Sequence, residues 1–127
     1  MTQMNVFRQP IKECSCAPLT GFFRDGTCST DSEEDLGNHL VCCEMNEEFL
    51  AYSKYTGNDL STPRPEFGFD GLKPGDHWCV CLDRWKQAFD DGCAPKVDLA
   101  ATHLGALELV SLDQLKKHAI ASPQDRH

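Results

Sequence analysis

The chain predicts an α+β fold: a single two-layer domain over residues 1–127, with helices on one face of a small sheet and a long, ordered Pro/Gly-rich loop. Three observations carry that expectation. Short apolar or alternating runs at 39–45, 77–81, 96–102 and 106–110 have strand length. Three stretches between them carry helix caps and helical apolar stripes. Residues 57–76 hold three prolines and four glycines, which excludes a continuous helix or a central strand.

The elements follow in chain order. Residues 1–38 read as loop, with Pro18, Gly21, Asp25 and Gly26 as turn formers around Phe22-Phe23. The acidic run S-T-D-S-E-E-D-L-G (29–37) reads as a solvated loop, since it lacks the ligand spacing of an EF-hand. H-L-V-C-C-E-M (39–45) is a buried strand. Asn46 makes an N-cap with Glu47 and Glu48 in the first turn, Phe49 and Leu50 follow at helical spacing, and Gly57 ends a helix over 46–56. The loop 57–76 has Leu60, Phe67, Phe69 and Leu72 as apolar anchors. H-W-C-V-C (77–81) alternates as a strand, and 83–92 is a helix whose stripe is Leu82, Trp85, Ala88 and Phe89. K-V-D-L-A-A-T (96–102) and A-L-E-L-V (106–110) read as strands. Ser111 and Gln114 form a capping box for a last helix through 120, with Leu112, Leu115 and Ile120 facing inward. Residues 1–4 and 122–127 are expected to fray. Both tryptophans, Trp78 and Trp85, are expected in the core.

Composition narrows the classes of function. A chain of 127 residues with 40% hydrophobic and 25% charged residues is long enough and apolar enough for a real core. The 20 acidic and 12 basic residues leave a net charge of −8, which repels a phosphate backbone, and Lys116-Lys117-His118 is an ordinary end-of-helix cluster. Neither nucleic acid nor membrane is expected as a partner: no apolar run approaches the roughly 18 residues of a span. The N-terminus lacks a secretory pattern. A cytoplasmic location is the expectation, and it favours reduced thiols over disulfides for the eight cysteines.

The chemistry concentrates on those cysteines. On a strand His77, Cys79 and Cys81 point to one face and Trp78 and Val80 to the other. A C-x-C pair is poorly placed for its own disulfide but offers two thiolates to one metal. Cys14-Ser15-Cys16 repeats the spacing, although paired C-x-x-C knuckles are missing. Cys81 stands at a strand-to-helix junction, so Cys79 or Cys81 is the candidate nucleophile, with His77, His39 or His103 as base. In the long loop Asn58, Asp59, Ser61, Arg64 and Glu66 are the candidate ligand-binding residues. The competing reading there is an Ω-loop whose polar groups satisfy its own backbone.

Several stretches resemble a family of small bacterial proteins classed as a domain of unknown function. They are A-P-L-T-G-F-x-R-D-G-x-C (17–28), G-x-H-x-V-C (37–42), E-F-L-x-x-S (48–53), G-N-D-L-S-T-P-x-P-E (57–66), G-L-K-P-G-D-x-W-C-x-C (71–81) and A-T-H (101–103). The resemblance implies an intracellular α+β domain without an established activity. It also sorts the cysteines: Cys14, Cys28, Cys42, Cys79 and Cys81 match its pattern, whereas Cys16, Cys43 and Cys93 depart from it. That sorting favours a metal site built from Cys28, Cys42, Cys79 and Cys81 with His39 nearby, and His77 completes the candidate ligand set.

The leading expectation is therefore a thiolate-based soft-metal domain, with zinc or iron as the ion. The alternatives are small-molecule binding or a thiol-dependent enzyme using the 58–66 loop, or an interaction domain whose thiols are merely buried.

Overall fold

A computed structural model describes residues 3–15, 20, 26–28, 39–67 and 70–120. Its centre is a three-stranded antiparallel sheet in the order β2-β1-β3, with β1 His39–Glu44, β2 His77–Cys81 and β3 Lys96–Val97. The helices are α1 Glu47–Tyr55, α2 Leu82–Asp90 and α3 Leu112–Lys116. The architecture is α+β, as the alternation of short strands with capped helices predicts.

Strand pleating divides the sheet into two unlike faces. Val41, Cys43, Trp78 and Val80 point into the main core, where they meet Phe49 and Leu50 of α1, Leu82, Trp85 and Ala88 of α2, and Leu115 of α3. Trp85 is fully buried, and its indole N–H donates to the Pro95 carbonyl. Cys42 and Cys79 point the other way, into a second cluster with Cys14, Cys28 and Ala101. Helices cover the first face; the N-terminal segment covers the second. Its path is set by backbone hydrogen bonds onto the segment after β3: Val6 N–H to Thr102 C=O, Lys12 N–H to Ala100 C=O, and Leu104 N–H to Met4 C=O.

The helix starts follow from their caps. Asn46 Oδ1 accepts from the Phe49 N–H at 2.7 Å, and the Ser111–Gln114 box is present in both directions. The long loop contains one short 3-10 turn, Pro65–Phe67, and its ends are tied down. Met45 N–H donates to Asp76 C=O, Gly75 N–H to Met45 C=O, and Leu72 N–H to Leu60 C=O. Of its expected anchors, Leu72 is buried and Leu60 packs against the core; Phe69 and the Phe67 side chain lie outside the described residues. So do the acidic run 29–37 and the C-terminal 122–127.

Three expectations about the last third are corrected. The strand expected over 96–102 stops at Val97 and gives way to a 3-10 turn, Leu99–Ala101. The strand expected at 106–110 is a 3-10 segment, Leu104–Glu108. The burial explains it: Ala106 and Val110 are buried while Glu108 and Leu109 are exposed, an i, i+4 pattern and not an alternation. The last helix ends at Lys116, and residues 118–120 instead run beside β3, where Val97 N–H donates to His118 C=O and Ile120 N–H to Val97 C=O. No helix among the described residues is long and apolar enough to cross a membrane.

Candidate functional site

The second sheet face is a sulfur face. In the β1–β2 register Cys42 stands directly opposite Cys79. Neither residue's N–H points at the other strand. The Cys79 N–H, on the open side of edge strand β2, donates to the Thr20 hydroxyl at 2.8 Å. The Cys42 N–H donates to the Thr102 hydroxyl, and the Cys42 carbonyl accepts from the Asp98 N–H. Two threonine side chains thus replace backbone partners where the sheet runs out, satisfying donors that burial would otherwise orphan. Among the described residues no buried side-chain polar atom lacks a partner.

Onto this pair the N-terminal region brings two further cysteines. Cys14 is bonded to Cys42 and Cys28 to Cys79, with Cα separations of 5.7 Å and 5.4 Å. This corrects the expectation of reduced thiols at Cys28, Cys42 and Cys79: their sulfurs are joined in disulfides, as is that of Cys14. In this disulfide form Cys79 is not available as a nucleophile, because its sulfur is bonded to Cys28. The two bonds are neighbours, for the Sγ atoms of Cys14, Cys28 and Cys79 all lie within 4.8 Å of one another. Beside Cys42, one His77 ring nitrogen and one Asp98 carboxylate oxygen lie within the same 4.8 Å of its sulfur and of each other. His77 Nε2 also stands 3.9 Å from a Glu44 carboxylate oxygen.

The free thiols described are Cys43, Cys81 and Cys93. Cys43 follows Cys42 in the strand and so points into the opposite, helix-covered core, where burial pushes its pKa well up. The Cys93 thiol is also raised, first by desolvation and then by Glu48 and Asp91. Cys81 is different in its neighbour. The β1–β2 register slips by one residue between His39 and Val41, so His39, and not Leu40, stands opposite Cys81. This bulge sends Leu40 into the core and brings His39 Nε2 to 3.5 Å from the Cys81 Sγ. Both residues line a cavity of about 50 Å³ together with Asn58, Leu60 and residues 78–80 of β2.

Residues 4–119 match the model of a protein family described as "Uncharacterized protein conserved in bacteria (DUF2237)". The chain belongs to this family. No curated protein matches it. The family match spans both disulfides, the Cys81–His39 pair and the long loop.

Within this family member the six expected metal ligands separate into two groups. Cys28, Cys42, Cys79 and His77 gather on the sulfur face, and Cys14 and Asp98 join them there. Cys81 and His39 pair at the far end of the strands. Cys14 had a visible signal, its place in the matching pattern, but a C-x-C spacing cannot say which distant cysteine it will meet. Thr20 and Thr102 had the same kind of signal, in A-P-L-T-G and A-T-H, but without a role attached; Asp98 had none. The long-loop residues also divide. Asn58 reaches the Cys81 cavity. Asp59 is used by its own turn: Oδ1 accepts from the Ser61 and Thr62 N–H groups and the Ser61 hydroxyl, and Oδ2 from the Thr62 hydroxyl. Those bonds hold its carboxyl at a pKa of about 2, the Thr62 hydroxyl contributing most. Arg64 and Glu66 are exposed. Of the expected bases, His103 is a structural cap: its Nδ1 accepts from the Gly105 N–H at 2.9 Å, which leaves Nε2–H to donate to Gln3 Oε1 at 2.7 Å. Burial lowers its pKa, in keeping with that neutral tautomer.

Proposed function

We propose that this protein is a redox-gated soft-metal domain, in which four cysteines hold two disulfides when oxidised and bind one zinc ion when reduced. The observation that carries this reading is the convergence of the Cys14, Cys28 and Cys79 sulfurs within 4.8 Å, with Cys42 bonded to Cys14. Tetrahedral zinc at about 2.3 Å from each thiolate needs sulfurs about 3.8 Å apart. Opening the two bonds leaves the Cys14, Cys28 and Cys79 sulfurs within 4.8 Å of one another and Cys42 next to Cys14, so small side-chain rotations bring the four to that spacing.

The chemistry of the donors favours the ion. Cys28, Cys42 and Cys79 are at most 1% exposed, so ionising them without a cation is costly, and a divalent ion compensates the charge. Each disulfide takes two electrons and two protons from a dithiol reductant, which leaves as a disulfide. Zinc then displaces the thiol protons. We place the protein in the cytoplasm, where such reductants are abundant and the metal-bound state would prevail.

The test is native mass spectrometry of the untagged chain, oxidised and dithiothreitol-reduced, each titrated with zinc. The reduced chain should take up one ion and the oxidised chain none. Changing Cys28 and Cys79 to serine should abolish uptake. Equal zinc binding by the oxidised and reduced chains would overturn the reading.

A further inference from the structure

Cys81 and His39 lie outside the four-cysteine cluster, and the reading above leaves both unused. Three observations bear on them. The bulge at Leu40 has a specific effect, for regular pairing would set leucine against Cys81 and the slipped register sets imidazole there. The His39 Nε2 to Cys81 Sγ distance of 3.5 Å suits a sulfur hydrogen bond, so a proton can pass between them. Both residues line a cavity of about 50 Å³, together with Asn58 and Leu60 of the long loop and residues 78–80 of β2. Drug-sized ligands need roughly 300 Å³ or more, whereas a space of this size suits a molecule of a few heavy atoms.

We propose that Cys81 and His39 form a peroxide-reducing site, with Cys81 as nucleophile, His39 as its base and hydrogen peroxide as the substrate that fits the cavity. The thiol proton moves to His39 Nε2. The Cys81 sulfur attacks one peroxide oxygen, so an S–O bond forms as the O–O bond breaks. The leaving oxygen takes the proton back from His39 and departs as water. Cys81 ends as a sulfenic acid, oxidised by two electrons, and the peroxide is reduced by two. The other described free thiols are poorer candidates on position and charge. Cys43 is sealed in the core, and Cys93 faces the carboxylates of Glu48 and Asp91, which disfavour its thiolate. In the disulfide form the cluster sulfurs are already oxidised, so they do not compete with Cys81 for peroxide.

The experiment treats the oxidised, disulfide-intact chain with hydrogen peroxide and a dimedone trap near neutral pH, and maps the labelled peptides over time. Cys81 should be trapped at least about tenfold faster than Cys93 in the same molecule, and His39→Gln should slow Cys81 by at least about tenfold. Bulky cumene hydroperoxide should react more slowly than hydrogen peroxide at Cys81, because the cavity excludes it. Cys93 labelling as fast as Cys81 would overturn the proposal, a comparison that needs no variant. So would an unchanged Cys81 rate in a folded His39→Gln protein, or equal rates with the two peroxides. Because zinc uptake is read on the reduced cluster and trapping on the oxidised chain, the two proposals fail separately.

Discussion

Replacing Cys28 and Cys79 together by alanine measures what the longer crosslink does for the fold. The bond joins residues 51 apart, and in the chain-entropy treatment a loop of that length restricts the unfolded state by about 4 kcal/mol. The Cys14–Cys42 bond, 28 apart, comes to about 3.6 kcal/mol by the same relation. The loops interleave, since Cys28 lies between 14 and 42 and Cys42 between 28 and 79, so losing both costs less than the sum. Against a domain stability of roughly 5–15 kcal/mol either loss is large. With a urea slope near 1.5–2 kcal/mol/M, the double-alanine variant should unfold about 2 M earlier than the oxidised wild type. Both sulfurs are buried, so truncation also leaves small voids. The dithiothreitol-reduced wild type, which keeps its sulfurs but has lost both bonds, separates that effect from crosslinking. The assay is urea denaturation followed by tryptophan fluorescence, because Trp85 is fully buried and Trp78 neighbours Cys79 in sequence. If the oxidised wild type and the alanine variant unfold within about 0.3 M of each other, the crosslinking argument is refuted.

Two further predictions concern the long loop. Gly71 adopts φ +83°, and a Cβ there would stand 2.4 Å from the Ser61 carbonyl oxygen, a backbone atom; Gly71→Ala should destabilise by about 2–4 kcal/mol in thermal or urea unfolding. Gly57, at φ +93° with open space around its Cβ position, supplies the comparison: Gly57→Ala should lose only about 1 kcal/mol, and equal losses at the two sites would show that the close approach is irrelevant. Asp59 contributes order to the 58–66 loop above its ordinary pKa of 3.8, and that contribution should fade as pH falls towards about 2, because its folded-state pKa is depressed. Hydrogen exchange of the Ser61 and Thr62 amides should accelerate in that window relative to other loop amides, and Asp59→Asn should remove the step.

How much of the molecule was legible in the sequence varies by element, for a physical reason. Helices α1 and α2 and strands β1 and β2 rest on local signals: the Asn46 cap, the Trp85 and Ala88 stripe, and the alternation of His77, Cys79 and Cys81 against Trp78 and Val80. Those signals act within one or two turns or pleats, so they survive without a partner. The A-L-E-L-V segment failed because five apolar-rich residues fit two periods equally well, and only its neighbours chose between them.

The α+β class, the sheet's sulfur-bearing face and the residue types available for chemistry all follow from local patterns along the chain. The tertiary structure decided which sulfurs meet. Spacing cannot pair Cys14 with Cys42 or Cys28 with Cys79, because those contacts depend on where the N-terminal segment crosses the sheet, and nothing in either cysteine's neighbourhood encodes that crossing. An expected compartment likewise says what the surroundings would do to thiols, not whether the fold brings them to bonding distance. The bulge that sets His39 against Cys81 is a one-residue slip in pairing, created by two strands 42 residues apart and invisible in either strand alone.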